Sequence, residues 1–191
     1  MSKSKLLFPC LLLGAMALTS SAAFADGPRD FLQKALEGDN SEIMLGRMAS
    51  DRARDPGVRE FGRTLARDHS DARDDVLRVG RRMGIRPQRE VSPEARDERE
   101  RLSQMRGREF DREFIRYMTD DHRKDLSEFN DEARERHGPV SDLARRQIPT
   151  LQKHLDIAMS LDRHDDHRGF DDHHGRNDDR DRRDGRDMRD R

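Results

Sequence analysis

An all-α fold, a four-helix bundle with one long connection in its middle, follows from three features of the 191-residue sequence. Apolar residues recur at helical spacing almost throughout residues 26–162. Proline and glycine fall where four helices have to start and stop. No stretch alternates with period two for long enough to make a strand.

The N-terminal segment, residues 1–25, reads as a secretory signal that leaves the mature chain. Lys3 and Lys5 make a short basic start, and Leu6 to Leu18 form an apolar run too short to span a bilayer. Ala23-Phe24-Ala25 then offers small residues at both positions that a signal peptidase reads, so cleavage is expected to leave Asp26 first. The single cysteine, Cys10, lies inside the apolar run and would leave with it. A lipid anchor on Cys10 fits poorly, because Pro9 stands where a small residue is wanted and the apolar run continues past it. The mature chain then has no thiolate for a disulfide, a metal or nucleophilic catalysis, and its expected address is periplasmic or secreted.

The first helix carries the stripe Phe31, Ala35, Gly38, Glu42, Leu45, Ala49. Asp55-Pro56, a cap followed by proline at the first helical position, opens the second, with Val58, Gly62, Leu65, His69, Ala72, Val76, Val79 and Met83 on one face. Gly84 can end it. Ser92-Pro93 repeats the cap-proline arrangement and starts a short helix inside the long connection that runs to Gly107. The third long helix shows Ile115, Met118, His122, Leu126, Phe129 and Ala133, and Gly138-Pro139 separates it from a fourth with Leu151, His154, Ala158 and Leu161. Helices of this length span roughly 33 to 42 Å. The first and last connections are short and make antiparallel hairpins, Arg29–Arg82 and Phe110–Asp162, whereas the middle one is long enough to traverse the bundle. One such crossover between the second and third helices is the ferritin-like topology.

Beyond Asp162 the composition changes. Residues 163–191 hold ten Asp, nine Arg, four His and only two apolar residues, Phe170 and Met188. Such a polyampholyte buries too little apolar surface to offset the entropy of ordering it, and disorder is expected there. The folded domain is therefore residues 26–162. Across the whole chain 41% of residues are charged, 31% apolar and 5% aromatic, without Trp, which excludes a polytopic membrane protein and argues against a large aromatic-lined cavity. A formal net charge of -1 argues against nucleic acid as a partner. No stable membrane insertion is expected after signal cleavage.

The functional signal lies on the apolar stripes. Three are interrupted by histidine and the first by glutamate, and Glu42, His69, His122 and His154 each fall about thirteen residues into their helices, near the midpoint of helices about 22 to 28 residues long. Midpoints of packed helices are level whatever their directions, so the four side chains are expected to converge. Imidazole and carboxylate are ligands that Zn, Cu, Fe or Mn accept, and a cation neutralises otherwise costly buried charge. The alternative is a polar core cluster with Glu42 paired to an imidazolium. Asp68 and Asp121, each preceding a seam histidine, are the auxiliary carboxylates. Ala66, Thr119 and Leu151 stand three residues before the histidines, so the Glu-x-x-His pairs of a di-iron centre are missing and a mononuclear site is the remaining form. Pro149 is expected to kink the fourth helix one turn before His154. In the tail, His164, His167, His173 and His174 can hold metal only loosely, because unordered imidazoles enforce no geometry. Met44 and Met48, one turn apart, are read as core filler.

Several strings carry a resemblance: Phe31-Leu-x-Lys-Ala-x-x-Gly followed by Glu42-x-x-Leu45-Gly46, Ala66-x-Asp68-His69, Gly107-x-x-Phe110-Asp111-x-x-Phe114, Met118-x-x-Asp121-His122, and Ile148-Pro149-x-Leu151-x-x-His154-Leu155. In this ordered set the chain resembles the domain of unknown function 4142 family, exported bacterial proteins placed among ferritin-like bundles. The resemblance spans about Asp30 to Leu161 and implies that fold and export, with no established activity. Phe114 stands where the family often has Tyr. Tyr117, the only tyrosine, is read as core packing.

Two functions fit these features: a non-enzymatic metal-binding or envelope stress-related bundle, and a metalloenzyme with a mononuclear His/carboxylate site. The sequence shows no Ser/His/Asp set and no phosphate-cradling glycine loop. It also shows neither the open coordination position nor the access path that an enzyme needs, which favours the non-enzymatic function.

Overall fold

The computed structural model describes residues 27–135 and 137–184, with the side chains of residue 135 and of residues 164–184 outside the description. The expected signal segment and Cys10 therefore lie outside the described residues. The helices are α1 (Pro28–Arg52), α2 (Pro56–Gly80), α3 (Pro93–Gln104), α4 (Arg108–Glu135) and α5 (Pro139–Asp184), with a single 3-10 turn at Arg81–Met83 and no strand among the described residues. The chain is a ferritin-like four-helix bundle of α1, α2, α4 and α5, with α3 on the crossover.

Local chemistry sets the boundaries. The Asp55 side chain accepts from Gly57 N at 2.7 Å, and the Ser92 hydroxyl accepts from Ala95 N at 3.0 Å, so both cap-proline pairs act as N-termini. Gly84 closes the end of α2 with φ of 75°, a left-handed conformation that a side chain would strain. The turn between α1 and α2 is held from α4, where the buried Asp111 carboxylate accepts from Arg54 N at 2.9 Å and Asp55 N at 2.8 Å.

Within each hairpin the helices pack closely. Gly46 and Gly62 face each other where α1 crosses α2. A Cβ on Gly46 would lie 2.7 Å from the Gly62 carbonyl oxygen, and one on Gly62 would lie 2.5 Å from that of Gly46. The crossover runs back along α1, which secures it with three side chains. Asn40 Nδ2 donates to the carbonyls of Gln88 and Glu90, Ser41 Oγ accepts from Ser92 N, and Arg52 Nη2 donates to the carbonyls of Ser103 and Met105.

The apolar interior is divided. One cluster, around Leu45, Phe61, Leu65, Phe110, Phe114 and Met118, fills the end of the bundle nearest the short connection of α1 to α2. The other, around Phe31, Leu32, Leu36, Val76, Phe129 and Leu143, fills the opposite end. Phe114 is wholly buried and stacks on Phe110 with centroids 6.3 Å apart, and the half-buried Tyr117 packs against the same cluster, as core packing requires. Met44 and Met48 also pack there as partly buried filler.

The last helix runs further than expected. α5 passes through Pro149 without a break, and that proline is exposed. Its backbone also continues helical to Asp184, past the boundary expected at Asp162. A chain alternating Asp and Arg has opposite charges at many three- and four-residue spacings, which supports helix even where no apolar face exists. His164, His167, His173 and His174 fall where side chains are outside the described residues.

Candidate metal centre

Between the two apolar clusters lies a polar layer. Glu42 (α1), His69 (α2), His122 (α4) and His154 (α5) all point into it, with relative exposures of 1%, 3%, 0% and 0%. The ring centroids are 5.2 Å apart for His69 and His154, 5.3 Å for His122 and His154, and 5.9 Å for His69 and His122. One ring nitrogen from each of the three histidines lies within 4.8 Å of the others. The four residues that share a level in the sequence share one in space.

Each imidazole is oriented by an acceptor on its far side. His122 Nδ1–H donates to the Met118 carbonyl one turn back at 2.9 Å, and a carbonyl can only accept. His154 Nε2–H donates to Asp68 Oδ2 at 2.9 Å. Burial would raise Asp68, but the hydrogen bonds from His154 and Arg67 outweigh it and hold that carboxylate below its ordinary range, ready to accept. His69 Nδ1 lies 2.9 Å from Asp39 Oδ1 and 2.8 Å from Glu42 Oε2. Ligating histidines in metalloproteins are commonly held in this way, with the second nitrogen donating to a carboxylate or a carbonyl.

These bonds decide which lone pairs face inward. With its proton on Nδ1, neutral His122 presents a bare Nε2. With its proton on Nε2, neutral His154 presents a bare Nδ1. The two atoms face each other at 3.2 Å, and Glu42 Oε1 stands 3.3 Å from His122 Nε2. Glu42 Oε1 and His69 Nε2 are buried without a hydrogen-bond partner. Burial pushes His122 down and His154 down to about 4, so both are neutral at physiological pH. Glu42 behaves in the opposite way. Burial would raise it, but the charge of His69 and the hydrogen bond from it prevail and hold it at about 2. His69 would be lowered by burial, and the Glu42 charge together with hydrogen bonds to Asp39 and Glu42 lifts it well above its ordinary value.

Asp68 thus pairs across the bundle with His154 rather than with its neighbour His69. Asp121 takes a different place. Its carboxylate lies with those of Glu42 and Asp125, all within 4.8 Å of one another, and burial followed by the Glu42 charge pushes it up to about 7. Two members of the layer are absent from the sequence expectations, Asp39 and Asp125. Asp39 stands three residues before Glu42, and Asp125 three after His122, each on the same helical face. Searching that spacing in both directions from each seam residue finds them.

The site is reachable. A cavity of about 320 Å³ extends from the buried floor formed by Asp39, Glu42 and His69 to exposed Asp71 and Arg146.

Among solved structures, a DUF305 protein from Streptomyces coelicolor described as secreted aligns over 72% of this chain and 93% of its own, at TM-score 0.58 and 16% identity, which speaks for the fold alone. No curated protein matches the sequence. No described helix is long and apolar enough to cross a membrane. A family model for a domain of unknown function, DUF4142, matches residues 13–161, most of the chain and the whole histidine layer, and the chain belongs to that family.

Proposed function

We propose that the protein is an exported bundle that holds one divalent first-row transition ion on His69, His122 and His154, with Glu42 as fourth donor, and works by binding rather than by turnover. The observation that carries this is the pair of bare imidazole nitrogens facing each other beside an unpartnered carboxylate oxygen. Without an ion these atoms repel. In a tetrahedral site with metal–ligand bonds of about 2.0–2.1 Å, adjacent donor atoms lie about 3.3 Å apart. The contacts of 3.2 Å between His122 and His154 and 3.3 Å between His122 and Glu42 match such an edge. An imidazole-rich set suits Zn, Cu or Fe, and Mn less well. Four protein donors also complete a tetrahedron, which is the form of a holding site; a catalytic site keeps one position open.

Metal analysis of untagged protein truncated after Asp162 and exposed to Zn or Cu is expected to find one ion per chain, and His69→Ala to lose it. Equal occupancy in both proteins would refute the core site. The alternative, a mononuclear metalloenzyme, is favoured by the cavity, which Glu42 and His69 line: if Glu42 stays with His69, the three imidazoles leave the fourth position unfilled. Export is supported by Lys3 and Lys5, the apolar run and Ala23-Phe24-Ala25, and by the secreted description of the Streptomyces protein. N-terminal sequencing of exported protein is expected to begin at Asp26, and a start at Met1 would refute cleavage.

A further inference from the structure

We infer that the cavity beside the histidine layer is the route by which a hydrated divalent cation reaches the core, with its acidic lining as the selector; this rests on the metal-holding function proposed above. The cavity lies between all four long helices, and seven of its lining side chains are carboxylates against two permanent cations, Lys34 and Arg146. The carboxylates form a gradient of depth. Asp71 is exposed, Asp75 and Glu128 are half-buried, and Asp39 and Glu42 are buried at the floor beside His69. Three buried atoms on that floor have no hydrogen-bond partner: Asp39 Oδ2, Glu42 Oε1 and His69 Nε2. The two carboxylate oxygens are positioned to take over from water as an ion sheds its hydration shell, and His69 Nε2 joins them when the ion displaces its proton.

The other walls of the cavity sharpen this effect. Phe31, Ala35, Phe129 and Leu151 also line it. A cleft with a surplus of one sign of charge and low-dielectric walls focuses field lines, concentrates the attracted ion and raises its association rate. The same field repels anions, so an anionic substrate at the histidines is disfavoured and a cation as cargo is favoured.

The test is stopped-flow loading of the full chain with Co²⁺, read by its visible absorption. Asp71→Asn/Glu128→Gln removes two rim charges without touching a proposed ligand. The expected result is association about threefold or more slower at low ionic strength, with the difference fading at high salt and the final Co²⁺ stoichiometry unchanged. Thr150→Trp, a plug in the half-buried wall, is expected to slow both association and release. If Thr150→Trp does not fold, the rim variant alone decides. Association at the wild-type rate in the rim variant at low salt would overturn the route while leaving the histidine site intact. Failure of the wild-type chain to take up Co²⁺, or equal uptake by His69→Ala, would overturn the metal site and the route together.

Discussion

Glu98 on α3 is 2% exposed, and its Oε1 has no hydrogen-bond partner. Its other oxygen lies 3.3 Å from Arg101 Nη1 on the rim. Burial, helped by the Glu113 charge, raises its pKa above the ordinary value of 4.5. The sign follows from linkage: with the folded pKa raised, the penalty is absent below pH 4.5, where both states hold the proton, grows between 4.5 and the folded pKa, and is constant above it. Glu98→Gln is therefore expected to leave stability unchanged in acid and to raise it by on the order of 1 kcal/mol at neutral pH. Urea unfolding across pH 4 to 8 checks this, and a variant less stable than wild type at pH 7 would refute it. The seam histidines differ from Glu98 in kind. Glu98 has one orphan atom at the edge of the core, whereas the layer at Glu42 places several orphan atoms around one point, which is why a ligand is proposed for one and not for the other.

At the scale of elements, the α1–α2 contact depends on Gly46 and Gly62. Each backbone occupies the space where the other's Cβ would stand, at 2.7 and 2.5 Å, and both obstructing atoms are carbonyl oxygens that cannot move without moving a helix. Gly62→Ala is expected to destabilise by about 1–3 kcal/mol, because overpacking outweighs the helix propensity gained from alanine. Thermal denaturation checks it, and an unchanged midpoint would show that α2 shifts freely. That outcome would also bear on the site, since α2 carries both His69 and Asp68. The helices, the two cap-proline starts and the Gly84 stop were legible in sequence because period and capping are local. The place of Pro149 inside the fourth helix was legible too, and the run of α5 on to Asp184 was not. Proline on an exposed face loses one hydrogen bond but need not end a helix whose other face is held by the bundle.

Over the whole molecule, a cation at the layer would join four helices that are otherwise held by two separate apolar clusters. A ligand that binds only the folded chain stabilises it by mass action. Added Zn or Cu is therefore expected to raise the melting temperature of wild type and not that of His69→Ala. His69→Ala without metal is expected to lose roughly 3–5 kcal/mol, because it leaves Glu42 and Asp39 as buried carboxylates without their imidazolium. If metal shifts the two proteins equally, the layer is a polar core cluster and nothing more.

The sequence by itself determined the all-α class, the hairpins and crossover, and the common level of Glu42, His69, His122 and His154, because helical period and helix length fix which residues share a face and a height. Tertiary structure decided the rest. Asp39 and Asp125 lie one turn from seam residues, but only the packing of α1 and α4 buries the first and half-buries the second. Asp68 was legible as an auxiliary group, yet its partner was decided by the packing of α2 on α5. The direction of each imidazole was decided by Met118, Asp68 and the Asp39–Glu42 pair. Those acceptors determine which nitrogens are left bare, and an arrangement of lone pairs depends on rotamers and neighbours that no linear pattern records.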